Sequence, residues 1–252
     1  MNNKISVVII TLNEEKNIAR CLQSVQAFAD EIIVMDSGSN DRTKTIANEH
    51  NVRFYSCTWE GYSQTKNNAN ALANFGYIFS IDADEEVDPI LSNELISSKK
   101  KGLNGVYSLN RLSNYCGKWI KHSGWYPDRK IRLFPKECVW NDSIVHEELV
   151  IHSSLRVQHL NGHLHHYSYS AIEEHKSRAD KYSILTAQKY FAQGKKSYWF
   201  RPLGASIGRF ISMYFLKLGF LDGKQGFQIA QISAQSNYLK YKELQRLHAR
   251  RK

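Results

Sequence analysis

Residues 77–86 read YIFSIDADEE. The β-branched and aromatic run Tyr77–Ile81 goes straight into Asp82-Ala83-Asp84, and a strand's two-residue period sends both carboxylates to one side while the small alanine faces away. The same plan occurs upstream. Ile5–Thr11 (ISVVIIT) reads as a strand ended by Asn13-Glu14-Glu15, after which Ile18, Cys21, Leu22 and Val25 recur at helical spacing. Glu31–Met35 (EIIVM) is a second buried strand, ended by Asp36-Ser37-Gly38-Ser39, with Asp41 placed to cap the next helix. Val52–Cys57 reads as a third strand and Tyr62–Phe75 as a helix, which makes YIFSI the fourth strand. Such alternation predicts βαβ units and an α/β fold with a largely parallel sheet flanked by helices. Ligands of these sheets bind beyond the carboxyl ends of the strands. Three polar clusters, Asn13-Glu14, Asp36 to Asp41 and Asp82 to Glu86, fall there.

Beyond Gly102 the pattern changes to shorter aromatic strands (GVYSLNRL, KIRLFP, CVWND), then to a histidine-rich run from His159 to His166, and from Ala171 onward it is helical. The expected organisation is residues 1–98, then 99–170 as the second half of the same domain, then 171–252 as a helical extension. Charge divides along the same line: residues 1–98 hold 7 basic and 14 acidic side chains, net −7, and 99–252 hold 27 and 10, net +17. A basic excess of that size draws in polyanions, whether nucleic acid, anionic lipid or a phosphorylated glycolipid. At 252 residues and 42% hydrophobic, the chain can bury a sizeable core, which excludes collagen, coiled-coil and low-complexity classes. Cys21, Cys57, Cys116 and Cys138 form no C-x-x-C pair, so neither a disulfide framework nor a cysteine zinc site is expected and a reducing cytosol is the default. MNNKISVVIITLNEE is a poor signal peptide, and the longest apolar stretch, Leu203–Leu221, carries Arg209 and Lys217 and is too polar for a membrane span.

Two hard oxygen ligands at Asp82 and Asp84 suit one divalent cation, of the kind Mg²⁺ and Mn²⁺ chemistry on nucleotides requires. D-x-D is also common on acidic loops; its place after a strand is what favours function. Asp36 is positioned to accept a hydrogen bond from a base or ribose and Gly38 to let backbone approach a ligand, although the same residues also suit a capped turn. Trp125, Asp128, Arg129 and Arg132 combine aromatic surface with planar donors, which fits a sugar and a phosphate and equally fits a buried aromatic strand with arginines toward solvent. The histidine run is read less as zinc than as a strand whose His165 or His166 approaches a diphosphate or metal from the far side. Ile207 to Leu221 puts Phe210, Ile211, Tyr214, Phe215 and Leu218 on one side, as an interfacial helix or a core helix would. With the basic tail (Arg246, Arg250, Arg251, Lys252), that pattern suggests contact with the inner membrane leaflet.

The segments SVVIITLNEEKNIARCLQSV, DEIIVMDSGSNDRT, WEGYSQTKNNA and FSIDADEEV together resemble the inverting family 2 glycosyltransferases of GT-A fold. GWYPDRKIRLF, the VHEE at 145–148 and FLDGKQGF look like the branch containing lipopolysaccharide and lipooligosaccharide core β-1,4-glucosyltransferases. The resemblance implies a GT-A, Rossmann-like sheet with a membrane-proximal helical extension, and residues 1–98 as the nucleotide-sugar half with 99–170 as the acceptor and catalytic half. It implies a UDP-sugar donor, a glycolipid acceptor, Mg²⁺ or Mn²⁺, and a cytoplasmic enzyme peripheral to the inner face of the membrane. Thr11, Asn13, Glu14 and Asp36 would hold the uridine, with Ser37, Gly38, Gln64, Lys66 and Asn67 completing the pocket. Asp82 would face ribose and metal, and Asp84 would be the main metal ligand. An inverting transfer also needs a general base for the acceptor hydroxyl. Many relatives carry an acidic pair led by Asp at this point; this chain has His146-Glu147-Glu148, which puts Glu147 forward as the base and His146 as a metal or phosphate partner.

Four other readings stand against this one. A nucleotidyltransferase would need a glycine-rich basic phosphate loop after the first strand, and TLNEEKN supplies none. A nucleic-acid-binding module has no RRM, zinc-finger or helix-turn-helix signature behind it, and the acidic first half would repel a phosphate backbone, so no nucleic-acid partner is expected. A transferase acting on another envelope glycan, or a polyanion-binding scaffold without catalysis, stays open; the scaffold would have no need of Asp82 and Asp84 at a strand end.

Overall fold

The computed structural model describes residues 3–141 and 148–250. In chain order its elements begin β1 (Ile5–Thr11), α1 (Ile18–Val25), β2 (Glu31–Asp36), α2 (Thr43–Asn48), β3 (Arg53–Ser56), α3 (Tyr62–Ala71) and β4 (Tyr77–Asp82). There follow β5 (Glu85–Val87), α4 (Pro89–Lys101), β6 (Val106–Tyr115), β7 (Lys118–Trp119), β8 (Asp128–Pro135), β9 (Val139–Trp140), β10 (Leu149–Val150) and β11 (Val157–Tyr169). The chain closes with α5 (Ile172–Ala192), α6 (Arg201–Ile211) and α7 (Gly223–Arg250). Two compact units divide it: Met1–Arg111 with Asp128–His166, and Leu112–Pro127 with Tyr167–Lys252.

In the first unit all seven residues of β1 are buried, as expected for a central strand covered on both faces. β1 pairs in parallel with β2 on one side and β4 on the other, and β3 extends the parallel set beyond β2. The described strands order as β3-β2-β1-β4-β8-β6-β11-β5, with β8 antiparallel to β4. The expected α/β class, a mostly parallel sheet with flanking helices, is therefore the one found. Ile18, Cys21, Leu22 and Val25 of α1 lie inward on the spacing read from the sequence, against a core that includes Phe28 edge-on to Phe79 at 5.2 Å. Each such apolar side chain contributes about 1.5–3 kcal/mol by leaving water. The helix expected over Tyr62–Phe75 stops at Ala71, because Glu31 on β2 captures the Asn74 backbone N–H and side-chain amide instead. α4 is an element the sequence reading passed over. Its signals are local: Asp88 caps Leu91 N, Pro89 starts the first turn, Lys99, Lys100 and Lys101 fill the last, and Gly102 ends it at φ +96°.

The second unit is built on α5, α6 and α7, and its core gathers Tyr115, Ile120, Met213, Ile229 and Ala230. Phe210 and Tyr214 pack against this core, so they do not share the exposed side of their helix with Ile211, Phe215 and Leu218. A π turn, Ser212–Leu216, follows α6, and a 3₁₀ turn, Gly219–Asp222, leads into α7. Buried Asp222 ties this turn to the loop after β7 by accepting from Lys121 N, His122 N and His122 Nδ1 at 3.2, 2.9 and 3.0 Å. His175, buried on α5, sits among the rings of Tyr115, Trp125 and Tyr169, with Nδ1 3.1 Å from Tyr115 Oη.

Burial pushes the His175 pKa from 6.5 down to about 4, because a charged imidazole has no aqueous solvation among those rings. A folded-state value below the unfolded one means the imidazole's contribution is fully present above pH 6.5 and lost as pH falls through about 4. Thermal unfolding followed by circular dichroism should therefore show a midpoint that drops between those pH values, with a shallower drop in His175→Gln. An identical pH slope in the two proteins would contradict the assignment.

Candidate active site

The site is assembled where β2, β1 and β4 end. Register pairs Thr11 with Asp36 and Ile10 with Asp82, so the three expected polar clusters stand side by side at the carboxyl edge of the sheet. The loops after β1 and β2 are laced together. Asn13 N donates to Ser39 Oγ (2.8 Å), Asn40 N to Asn13 Oδ1 (2.9 Å), Glu14 N to Thr43 Oγ1 (2.8 Å) and Glu15 N to Asp41 Oδ2 (3.1 Å). Asn13 holds φ +55° to make this possible, a conformation asparagine tolerates. Asp36 is buried and closes its own turn: Oδ2 accepts from Gly38 N and Ser39 N, and Oδ1 from Ser39 Oγ. Ser37 N donates to Thr11 O, while Gly38, at φ +96°, has open space on its Cβ side. Thr11 Oγ1 is buried and without a hydrogen-bond partner among the described residues, a donor poised for something not made of protein.

Beneath Asp82 lies a buried ionic network. Arg132 Nη2 donates to Asp82 Oδ2 at 3.0 Å and to Glu85 Oε1 and Oε2 at 2.7 and 2.9 Å. Arg132 is 4% exposed and Glu85 1%. Arg111 joins from β6, 3.5 Å from Glu85 and 2.8 Å from Asp128, and Lys66 Nζ stands 3.4 Å from Asp82 Oδ1. Burial alone would raise the Asp82 pKa, but Lys66 and Arg132 outweigh it and hold the carboxyl well below its usual range. Arg132 is thus committed to carboxylates under the site, and Asp128 to Arg111 and Lys130, whereas Arg129 is exposed.

Asp84 lies on the turn between β4 and β5, one step beyond the strand that ends at Asp82. β5 pairs with β11, and this brings His166 Nε2 to 3.3 Å from Asp84 Oδ2. A carboxylate at a strand end suits a hard divalent cation such as Mg²⁺ or Mn²⁺, and an imidazole beside it favours a transition metal over Mg²⁺. Asp82 Oδ1 is buried and accepts no hydrogen bond, its charge being met by Lys66 Nζ at 3.4 Å, so the donor set that fits such an ion is Asp84 with His166. No cluster of three ligating side chains occurs among the described residues. One or two carboxylates completed by phosphate oxygens is the usual Mg²⁺ arrangement.

Lys66, Asp82, Arg111, Arg129, Lys130 and Arg132 line a cavity of about 600 Å³, together with Trp140 and Glu148. Asn67 clamps one wall, since its carboxamide exchanges hydrogen bonds with Trp140 N and O at 2.8 and 2.9 Å, and Lys66 Nζ lies over the Trp140 ring. Exposed Gln64 hydrogen-bonds Asn68 on its own helix. Asn141 and Glu148 exchange hydrogen bonds, which ties together the two ends flanking 142–147. His146 and Glu147 lie outside the described residues. Trp125 belongs to the second unit, where it is edge-on to Tyr115. Sequence reasoning missed Glu85, Arg111 and Lys130. Arg111 carried no motif, Lys130 lay inside GWYPDRKIRLF with no role of its own, and the charge of Glu85 reads as solvated until its partner 47 residues away is seen.

Residues 6–175, which hold this whole constellation, match the family described as Glycosyl transferase family 2. The chain belongs to that family. A glycosyltransferase of Rickettsia typhi is 31% identical over 97% of this chain and 87% of its own. The lipopolysaccharide core biosynthesis glycosyltransferase LpsC of Rhizobium meliloti is 26% identical over 97% of this chain and 93% of its own. Among solved structures, the glucosyl-3-phosphoglycerate synthase of Mycobacterium tuberculosis with Mn²⁺, UDP and glucosyl-3-phosphoglycerate is 26% identical over 44% of each chain, at a TM-score of 0.37.

Removing Arg132 takes the nearest cation from two carboxylates, one of them fully buried, and leaves Glu85 to Arg111 at 3.5 Å and Asp82 to Lys66 at 3.4 Å. Arg132→Met should cost about 3–5 kcal/mol in chemical denaturation, and adding Glu85→Gln in the same chain should recover much of it. A loss within about 1 kcal/mol, the range of an exposed pair, would show that the network does not carry this part of the fold.

Proposed function

We propose that the chain is a metal-dependent, inverting hexosyltransferase that moves a hexose from a UDP-sugar to a lipopolysaccharide or lipooligosaccharide core acceptor. The observation that carries this reading is the Asp84–His166 pair, two residues along the chain from Asp82, which itself lines a cavity with Lys66, Arg111, Arg129, Lys130 and Arg132. Glucose as the sugar and β-1,4 as the linkage follow from the motif resemblance. The core acceptor is supported by the likeness to LpsC over nearly the full chain. In this reading the enzyme works in the cytoplasm at the inner face of the membrane, where a lipid-linked acceptor is held.

The roles divide by position. Thr11, Asn13, Glu14 and Asp36 receive the uridine at the ends of β1 and β2, with Ser37, Gly38, Gln64, Lys66 and Asn67 around them; Asn67 acts through the wall it clamps. Asp84 and His166 hold the divalent ion, with Asp82 and His146 as further candidates. When bound, that ion supplies neutralisation of the leaving diphosphate. Lys66 and the exposed Arg129 add positive charge on the same side, which stabilises the transition state as charge moves onto the diphosphate. Glu147 takes the acceptor hydroxyl proton as that oxygen attacks C1 from the face opposite the diphosphate. Arg132 positions Asp82 and does not touch substrate.

Calorimetry with UDP, UDP-glucose and UDP-galactose, in Mn²⁺ and in EDTA, tests this on wild type and Asp84→Ala. Binding is expected to need the metal, to weaken by a factor on the order of a hundred or more in the variant, and to rank UDP-glucose above UDP-galactose, with circular dichroism unchanged. Equal nucleotide binding in EDTA, or transfer retained by Asp84→Ala, would overturn the metal role.

A further inference from the structure

The second unit presents an apolar surface that its own packing leaves uncovered. Trp199 is 87% exposed, Leu216 76% and Leu203 61%, values at which a large apolar side chain is held wholly in water. Along α6 the exposed residues Phe200, Leu203, Ile207 and Ile211 recur at three and four positions, so they share one face. Phe210 and Met213 leave the helix on the other side, into the core against Ile229 and Ala230. The uncovered face continues through the turn that joins α6 to α7, where Phe215, Leu216, Leu218, Phe220 and Leu221 are all exposed. A contiguous patch of this kind marks a binding surface.

Charge says what covers it. Residues 195–224 contain six basic side chains, Lys195, Lys196, Arg201, Arg209, Lys217 and Lys224, all exposed. Their only acid, Asp222, is 3% exposed and already occupied by His122. Within residues 195–224 the surface is cationic with no accessible carboxylate. A second copy of the chain would bring six cations against six, whereas an anionic phospholipid surface supplies both the opposite charge and an apolar interior. No helix among the described residues is long and apolar enough to cross a membrane, so a surface of this kind lies in the interface and does not span it.

We infer that residues 198–221 seat the chain in the headgroup layer of an anionic membrane leaflet, with the α6 stripe and the following turn reaching the acyl boundary and the basic side chains on lipid phosphates. Tyr198 and Trp199, each with an apolar body and a polar tip, sit at the level where such rings partition. The inference rests on the membrane-side location proposed above and gives it a specific surface; it does not depend on the donor chemistry.

The test uses the full chain, with vesicles of phosphatidylcholine alone and with phosphatidylglycerol added at roughly one part in four. The chain should sediment with the anionic vesicles, with a blue shift in tryptophan emission that Trp199→Phe removes. Leu203→Glu with Ile207→Glu should lower the partition coefficient by a factor on the order of ten or more, with circular dichroism and Mn²⁺-dependent UDP binding unchanged. Wild type left in the supernatant, equal sedimentation of the double variant, or equal binding to phosphatidylcholine alone would overturn the inference. So would a dimer in sedimentation velocity that the same substitutions dissociate, since the face would then belong to a second copy. Vesicle binding that survives while UDP binding is absent would count against the donor site and leave the membrane surface standing.

Discussion

Arg132 places one guanidinium between Asp82, at the end of β4, and Glu85, at the start of β5, and it reaches both from β8. Desolvating a charge costs several kcal/mol, and hydrophobic replacements of buried pairs are often neutral or better, so the network is weak evidence for stability alone. Its consequence is geometric and electrostatic. It fixes where β4 ends and holds Asp82 ionised. The turn through Ala83 and Asp84 is then carried across to β11, where His166 waits. With Asp82 matched by Lys66 and Arg132, Asp84 is the strand-end carboxylate with a histidine as its partner and no arginine or lysine ion pair among the described residues. The network thus sorts two adjacent acids into an anchored one and one suited to a cation.

Much of this was legible in the sequence, for reasons that differ by element. β1, β2 and β4 were readable within a residue because buried central strands are continuous β-branched runs, and α1 because its four inward residues recur at the helical period. The strand-end placement of Asn13, Asp36 and Asp82 followed directly. His166 was readable as a residue approaching from the far strand. What was hidden was long-range. The early end of α3 depends on Glu31, and the burial of Arg132 depends on Glu85; neither partner lies in a local window. A strand pattern that lets arginines face solvent or phosphate cannot show that one of them is pinned beneath the site. In the second unit, periodicity found an amphipathic stretch but assigned Phe210 and Tyr214 to its exposed side, because a π turn at Ser212–Leu216 alters the phase that an ideal helix would keep.

The charge asymmetry of the chain has a local counterpart in the structure. The acidic first part supplies Asp82, and the later, basic part supplies Arg111, Arg129, Lys130 and Arg132, to the same cavity. The remaining excess of positive charge includes the rim of the exposed face on α6 and its turn. The cavity with its five cations and the cationic apolar surface are each complementary to the anionic partner proposed for it, a nucleotide diphosphate and a phospholipid leaflet.

Asp84 and His166 are proposed to hold together the divalent ion on which nucleotide binding depends. Anomalous diffraction at the manganese edge, on crystals grown with Mn²⁺ and UDP, would locate that ion. One peak is expected within bonding distance of the Asp84 carboxylate and His166 Nε2, with UDP phosphate oxygens completing the shell. Ordered UDP with no peak there, or a manganese held away from Asp84, would contradict that assignment.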